Sequence, residues 1–205
     1  MKRKLILALL ILAVSTSFVF AGAFGAGVSA GGNLAFVGTD PSGDGTPRYG
    51  FTGGLYGDYA LYAVEDVMDL SAQFGLNYAM KGFRTESTSG DVKVNLDYIE
   101  LPILVKAAFD LNLPVKPFAL AGGYVGYAIT QTYLVDDSEI DGALLGQDNK
   151  DLDFGVTFGA GVDLDMGVSI DARFNLGLAN IADEGSALES MKNRSVSLMV
   201  SYNIL

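Results

Sequence analysis

Residues Asp153 to Asp163 read DFGVTFGAGVD. On an extended chain Phe154, Val156, Phe158, Ala160 and Val162 take one side, and Asp153, Gly155, Thr157, Gly159, Gly161 and Asp163 take the other. Such alternation suits two opposite structures: a soluble sheet with its apolar side in the core, or a membrane barrel with its apolar side on lipid. The polar side decides between them. A water-facing strand is normally clothed in Lys, Glu and Thr, whereas glycine there weakens the strand and packs nothing. Inside a narrow barrel the demand reverses, because bulky lumenal side chains must be offset by small ones. Gly25, Gly27, Ser29, Gly31 and Asn33 repeat the pattern near the start of the chain. The polar side is therefore expected to line a lumen and the apolar side to meet lipid.

Working outward, the same alternation recurs in seven further segments. Their apolar rows are Val28, Leu34, Phe36; Phe51, Leu55, Tyr59, Leu61; Leu70, Phe74, Leu76, Tyr78, Met80; Ile99, Leu101, Ile103, Val105; Val168, Ile170, Phe174, Leu176, Leu178; and Val196, Leu198, Val200, Tyr202, Ile204. The segment around 116–131 is less regular. Phe118, Leu120 and Tyr124 share one parity and Val125, Tyr127 and Ile129 the other, which predicts a kink at Gly122-Gly123. The connections alternate: short near 63–67, 110–114 and 165–167, long and polar at 38–48, 82–91, 132–151 and 182–193. This predicts an all-β fold, an eight-stranded antiparallel up-and-down transmembrane β-barrel with tight turns at one rim and four long loops at the other. Phe36, Tyr59, Tyr78, Phe174 and Tyr202 are expected near strand ends, at the two membrane interfaces.

Eight charged residues take the inward parity: Asp58, Lys81, Glu100, Lys106, Asp153, Asp163, Asp171 and Arg173. A lone charge in such a place is costly, so a connected network is expected. Glu100 and Lys106 are too far apart on one strand to touch and need partners on neighbours, whereas Asp171 and Arg173 can pair directly. The network reads as a packed polar core holding the barrel together, with an ion-conducting or proton-linked path as the alternative.

The chain has 205 residues, half of them hydrophobic, and a mean hydropathy of +0.33. Its long apolar run, Leu5 to Val14, follows Lys2, Arg3 and Lys4 and precedes a small-residue stretch ending in Ala21-Gly-Ala23. That order predicts a cleavable secretory signal, cut after Ala21 or Ala23, leaving a single barrel domain over 22–205. Its removal takes three of the 13 basic residues and none of the 24 acidic ones, moving the formal charge from −11 to −14. So acidic a chain is not expected to bind nucleic acid. It has no Cys, so an exported fold must stand without disulfides, and no His or Trp.

Without His or Cys, neither a Ser-His-Asp triad nor a thiol nucleophile can be assembled, and the chain is expected not to be an enzyme. No cofactor and no metal is expected. Asp40-Pro-Ser-Gly-Asp-Gly45 mimics the opening of a calcium loop, but Phe51 stands where the bidentate Glu belongs, so a solvated turn is the reading. Asp136, Asp137, Glu139 and Asp141 form an acidic run read as a solvated loop. No strand-to-helix transition follows Gly25-Ala-Gly27 or Gly159-Ala-Gly161, so neither is a phosphate cradle.

The stretches YGFTGGLYGDYAL from Tyr49, LDYIELPILVKAAF from Leu96, VKPFALAGGYVGYAI from Val115, DFGVTFGAGVDL from Asp153 and IDARFNLGLANI from Ile170 occur in the order of a known family. The chain resembles the outer membrane protein beta-barrel domain family, often labelled porin family proteins, over nearly all of 23–205. The resemblance implies an eight-stranded barrel of the OmpA/OmpX type in the outer membrane of a Gram-negative bacterium. Members commonly end in an aromatic strand closing on Phe, which the barrel-insertion machinery reads. Here Tyr202 and Ile204 keep the alternation, and Leu205 follows with no terminal Phe. The expected function is a monomeric outer-membrane protein with a side-chain-filled lumen, in contact with membrane lipid and acting structurally or through surface interactions of its loops. The alternatives are a narrow diffusion channel and a soluble periplasmic lipocalin-like barrel.

Overall fold

A strand in lipid must satisfy every backbone N–H and C=O on a neighbouring strand, so a membrane sheet has to close on itself. In a computed structural model, which describes residues 24–40, 46–65, 67–85, 92–135, 138–140, 150–181 and 190–205, the sheet does so. The strands are β1 (Phe24–Asp40), β2 (Thr46–Val64), β3 (Met68–Thr85), β4 (Val92–Phe109), β5 (Val115–Val135), β6 (Ser138–Ile140), β7 (Leu152–Leu164), β8 (Val168–Gly177) and β9 (Ser190–Asn203). All neighbours are antiparallel. β1 pairs with both β2 and β9, and the β4–β5 ladder completes the ring. Eight strands make the barrel. The three-residue β6 only extends the outer end of β5, on which Tyr133 pairs with Ile140.

The strands are long, 17 to 21 residues from β1 to β5, and run beyond the apolar rows. Parts of the stretches expected as long loops, 38–40, 46–48, 82–85, 132–135, 138–140 and 190–193, are therefore paired strand. Residues 41–45, 86–91, 136–137, 141–149 and 182–189, which hold the rest of those loops, lie outside the described residues, as does the expected signal. The turns at the opposite, inner rim are tight. Between β7 and β8 Gly167 has φ +77°, a backbone shape that glycine adopts without penalty. Between β4 and β5 Asn112 takes φ +55° and its N–H bonds to Asp110 Oδ1 at 3.1 Å. The Lys116 ammonium and that N–H hold the Asp110 carboxyl below its usual range.

The apolar rows face out. Ile103 is 70% exposed, Leu198 62% and Leu55 60%, whereas Leu104, next in chain to Ile103, is 1% exposed. In water this would leave a continuous apolar girdle around the molecule, far beyond the patches soluble proteins tolerate. On lipid it is the required surface. Among the described residues no helix is long and apolar enough to cross a membrane.

One expectation is corrected. β5 has no kink at Gly122-Gly123: its pairing with β4 and β7 runs without a shift through residues 118–126, so Phe118, Leu120 and Tyr124 all point inward and Val125 and Tyr127 outward. The irregularity lies higher, where Asp97 pairs with Thr130 but Tyr98 with Ala128, leaving Ile129 as the extra residue. The parity change is thus a bulge at the outer end, and Tyr133, beyond it, is buried. Phe174 sits opposite Phe158, three residues from the end of β8.

Candidate functional site: the interior of the barrel

Small residues on some strands make room for large ones on others. Gly155, Gly159 and Gly161 of the DFGVTFGAGVD stretch lie beside the inward side chains of β5: a Cβ added there would sit 2.8 Å from Tyr124 Cε1, 2.9 Å from Leu120 Cδ1 and 2.7 Å from Phe118 Cζ. On β1, Gly27 lies against Tyr56 and Gly31 against Met199. The inner face is thus not uniformly small. The glycines of β7 receive the bulk of β5, and those of β1 receive Tyr56 of β2 and Met199 of β9.

From the outer rim inward the lumen is layered. An apolar cluster comes first, built from Val94, Leu96, Tyr98, Ala128, Tyr133, Ala179, Ile181 and Met191, all under 9% exposed. Beneath it lies Lys81, 1% exposed, with its ammonium 2.5 Å from Glu100 Oε1 and 3.2 Å from Asp153 Oδ2. Tyr124 and Asn193 also donate to Asp153 Oδ2, at 3.2 and 3.0 Å, and Asn193 donates to the Tyr98 hydroxyl at 3.2 Å. The Lys81 ammonium lies over the rings of Tyr124 and Tyr98, 4.4 and 5.2 Å from their centroids. Burial strengthens each of these contacts, and removal of any charged member leaves the others stranded.

Below Lys81 a small polar cavity is lined by Asn77, Glu100, Tyr124, Thr157, Asn175 and Ser197, with Arg173 at its floor. The Arg173 guanidinium is held by Asp171 (2.6 Å) and touches Gln73 Oε1 (3.5 Å), while Gln73 Nε2 donates to Asp58 at 3.1 Å. Leu104, Ala108, Phe118 and Leu120 form a second apolar cluster. Toward the inner rim Lys106 pairs with Asp163 at 2.8 Å, Ser169 donates to the same carboxylate at 2.6 Å, and the Lys106 ammonium lies 4.2 Å from the Phe118 ring centroid.

The eight inward charges therefore fall into two groups: Lys81, Glu100 and Asp153 above, and Asp58, Lys106, Asp163, Asp171 and Arg173 below. Glu100 and Lys106, both on β4, are held by different strands, β3 and β7. Sequence reasoning missed the aromatic and amide partners, Tyr98, Tyr124, Asn193 and Gln73. Tyr98 was legible, because it lies two residues from Glu100 on the same parity; Tyr124 was obscured by the misplaced kink. Also missed was Arg48, which bonds Asp97 Oδ1 at 3.0 Å and the carbonyl of Lys81. Asp97 has the lipid-facing parity of β4, and the Arg48 cation and the Tyr78 hydroxyl at 2.8 Å compensate it. The signal was an acid two residues from the apolar row Ile99, Leu101, Ile103 and Val105.

At the C-terminus Tyr202 faces out between Val28 and Val168, and the N–H groups of Ile204 and Leu205 both bond the Ala26 carbonyl. Among the described residues no group of three or more acidic side chains is placed to hold a metal ion.

A closed antiparallel barrel with an apolar exterior and a polar, charge-paired interior matches one family model, the outer membrane protein beta-barrel domain, over residues 16–183. The chain belongs to this family. It is an outer-membrane protein, and the soluble lipocalin-like alternative is overturned by that membership together with the exposed apolar girdle. No curated protein sequence matches the chain. Among solved structures, this outer membrane barrel is similar to neisserial surface protein A, at 16% identity and TM-score 0.47 over 86% of this chain and 96% of that one. It is similar to the outer membrane enzyme PagL, at 17% identity and TM-score 0.47 over 85% and 98%. It is also similar to Ail, the attachment invasion locus protein of Yersinia pestis, at 15% identity and TM-score 0.41 over 89% and 99%.

Proposed function

We propose that this barrel is closed by its own side chains and serves the outer membrane as a structural or surface-interaction protein, working through the segments at its outer rim. The supporting observation is the stack of an apolar layer on a buried Lys81–Glu100–Asp153 layer, each spanning the lumen between opposite walls. An ion passing through would have to displace Tyr98, Tyr124 and a buried ion pair together, a cost of several kcal/mol or more. The barrel acts without catalysis, since the chain has no His or Cys to build a nucleophile and base, and it works as a monomer, because the closed ring leaves no strand edge to pair. Residues 1–21 act as the export signal, and Tyr202 and Ile204 supply the alternating C-terminal strand for the insertion machinery. Single-channel recording of the purified protein in planar bilayers tests the closed lumen. No steady openings at modest voltage are expected; steady openings would transfer the assignment to a narrow diffusion channel.

A further inference from the structure

We infer that the polar cavity between the two charged layers of the lumen binds a monovalent cation the size of sodium, with Glu100 as its anionic ligand. The charge count asks for such a guest. The eight inward charges comprise three cations, Lys81, Lys106 and Arg173, and five carboxylates, Asp58, Glu100, Asp153, Asp163 and Asp171. Lys81 with Glu100 and Asp153 is left with one surplus negative charge, and so is the lower group. In the lower group Asp163 is 28% exposed, so water screens it. The upper three side chains are at most 7% exposed, and a surplus charge there is costly unless a counter-charge lies beside it. Hydrogen bonding shows the same imbalance. Among the described residues the buried side-chain polar atoms without a hydrogen bond are all oxygens: Asn33 Oδ1, Asn77 Oδ1, Glu100 Oε1, Asp153 Oδ1, Asn193 Oδ1 and Ser201 Oγ. Glu100 Oε1 has its ion pair with Lys81; the others have no such contact. An interior short of donors favours a guest that brings positive charge.

The cavity beneath Glu100 is built for it. Asn77 and Glu100 are direct cross-strand partners on β3 and β4 and share the inward parity. Gly54 pairs with Asn77 from β2, and a Cβ there would lie 2.6 Å from Asn77 Oδ1, so the glycine keeps a side chain off that oxygen. Thr52 on β2 and Ser197 on β9 line the same cavity, both are buried, and neither hydroxyl has a partner among the described residues. The remaining polar lining is already bonded: Tyr124 to Asp153, Thr157 to Asn175 and Asn175 to Ser195. One carboxylate with amide and hydroxyl oxygens is a hard set of low charge, whereas divalent sites usually gather several carboxylates. The space admits a water-sized guest, which suits a bare sodium ion and excludes an organic cation. Two cations border it, and both are matched: Lys81 by Glu100 and Asp153, and Arg173 by Asp171 through two nitrogens at 2.6 and 3.3 Å. The site lies in the lumen proposed above to be closed, but conductance and ion-linked stability are separate measurements, so either reading can fail alone.

The test is equilibrium urea unfolding of the full mature protein in phosphatidylcholine vesicles, in sodium chloride brought to constant ionic strength with tetramethylammonium chloride. A cation taken up as the barrel folds stabilises it by mass action: above half-saturation, each tenfold rise in sodium should raise the folded-to-unfolded ratio about tenfold. T52V and S197A each remove an oxygen ligand and no charge, and together they should raise the sodium needed for half-saturation about tenfold. Heat-modifiable migration on a gel verifies that each variant is folded, and the parent decides the matter even where a variant does not fold. A parent whose unfolding midpoint ignores sodium would overturn the inference. If that midpoint instead rises on mild acidification, a proton on Glu100 or Asp153 supplies the missing charge. A sodium effect that persists unchanged in the folded T52V/S197A barrel would also overturn it, by placing the ion elsewhere.

Discussion

Lys81 is the residue on which the upper lumen turns. Its ammonium meets two carboxylates, two aromatic rings and a phenol hydroxyl while almost wholly buried. The Lys81→Met variant keeps most of the side-chain volume but strands Glu100 and Asp153. A loss of about 3–5 kcal/mol is expected, measured by urea unfolding in lipid vesicles. Exchanging all three charged members for apolar residues of similar size should cost much less, since no uncompensated charge remains. Gly159 tests the notched packing. Gly159→Val drives a branched side chain against the Ala172 carbonyl and Leu120 and should cost about 1–3 kcal/mol. Leu120→Ala in the same chain should recover part of that loss, a non-additivity a double-mutant cycle reads directly. The opening stretch already displayed this glycine row, but its partners across the β5–β7 ladder could not be read there, since register is a property of two strands.

At the scale of the strand, the two faces answer to different solvents. Ile103 on β4 is the clearest case, 70% exposed at mid-strand beside a neighbour that is 1% exposed. Ile103→Lys should cost about 2–4 kcal/mol when unfolding is followed in a bilayer, the cost of a cation near the midplane. A soluble protein would tolerate the same change at an exposed position within about 0.5 kcal/mol, so an unaltered unfolding midpoint would contradict the lipid-facing assignment. Seven of the eight apolar rows were legible because period-2 alternation is a local signal. β5 was not, because its inward row is as apolar as its outward one: Phe118, Leu120 and Tyr124 inside, Val125, Tyr127 and Ile129 outside. Where both faces are apolar the alternation vanishes, and only the ladders to β4 and β7 assign the sides.

For the whole molecule, closure is the property to measure. A ring without edges has no strand from which to unravel, so unfolding in detergent should require heat. The same sample run on a denaturing gel should migrate differently before and after boiling; identical migration would contradict the closed, detergent-resistant barrel. The sequence by itself determined strand number, antiparallel order, seven of the eight lipid-facing rows, and the eight charges on the inward parity. These follow from period, composition and connection length, which act along the chain. Only the tertiary structure decided which charges meet, that Lys81 bridges Glu100 and Asp153 while Lys106 reaches Asp163, and that Arg48 neutralises Asp97. It also decided that the glycines of β7 receive the aromatic and aliphatic bulk of β5. Those pairings depend on register and on distances across the lumen, and closure fixes both only when every strand has found two neighbours.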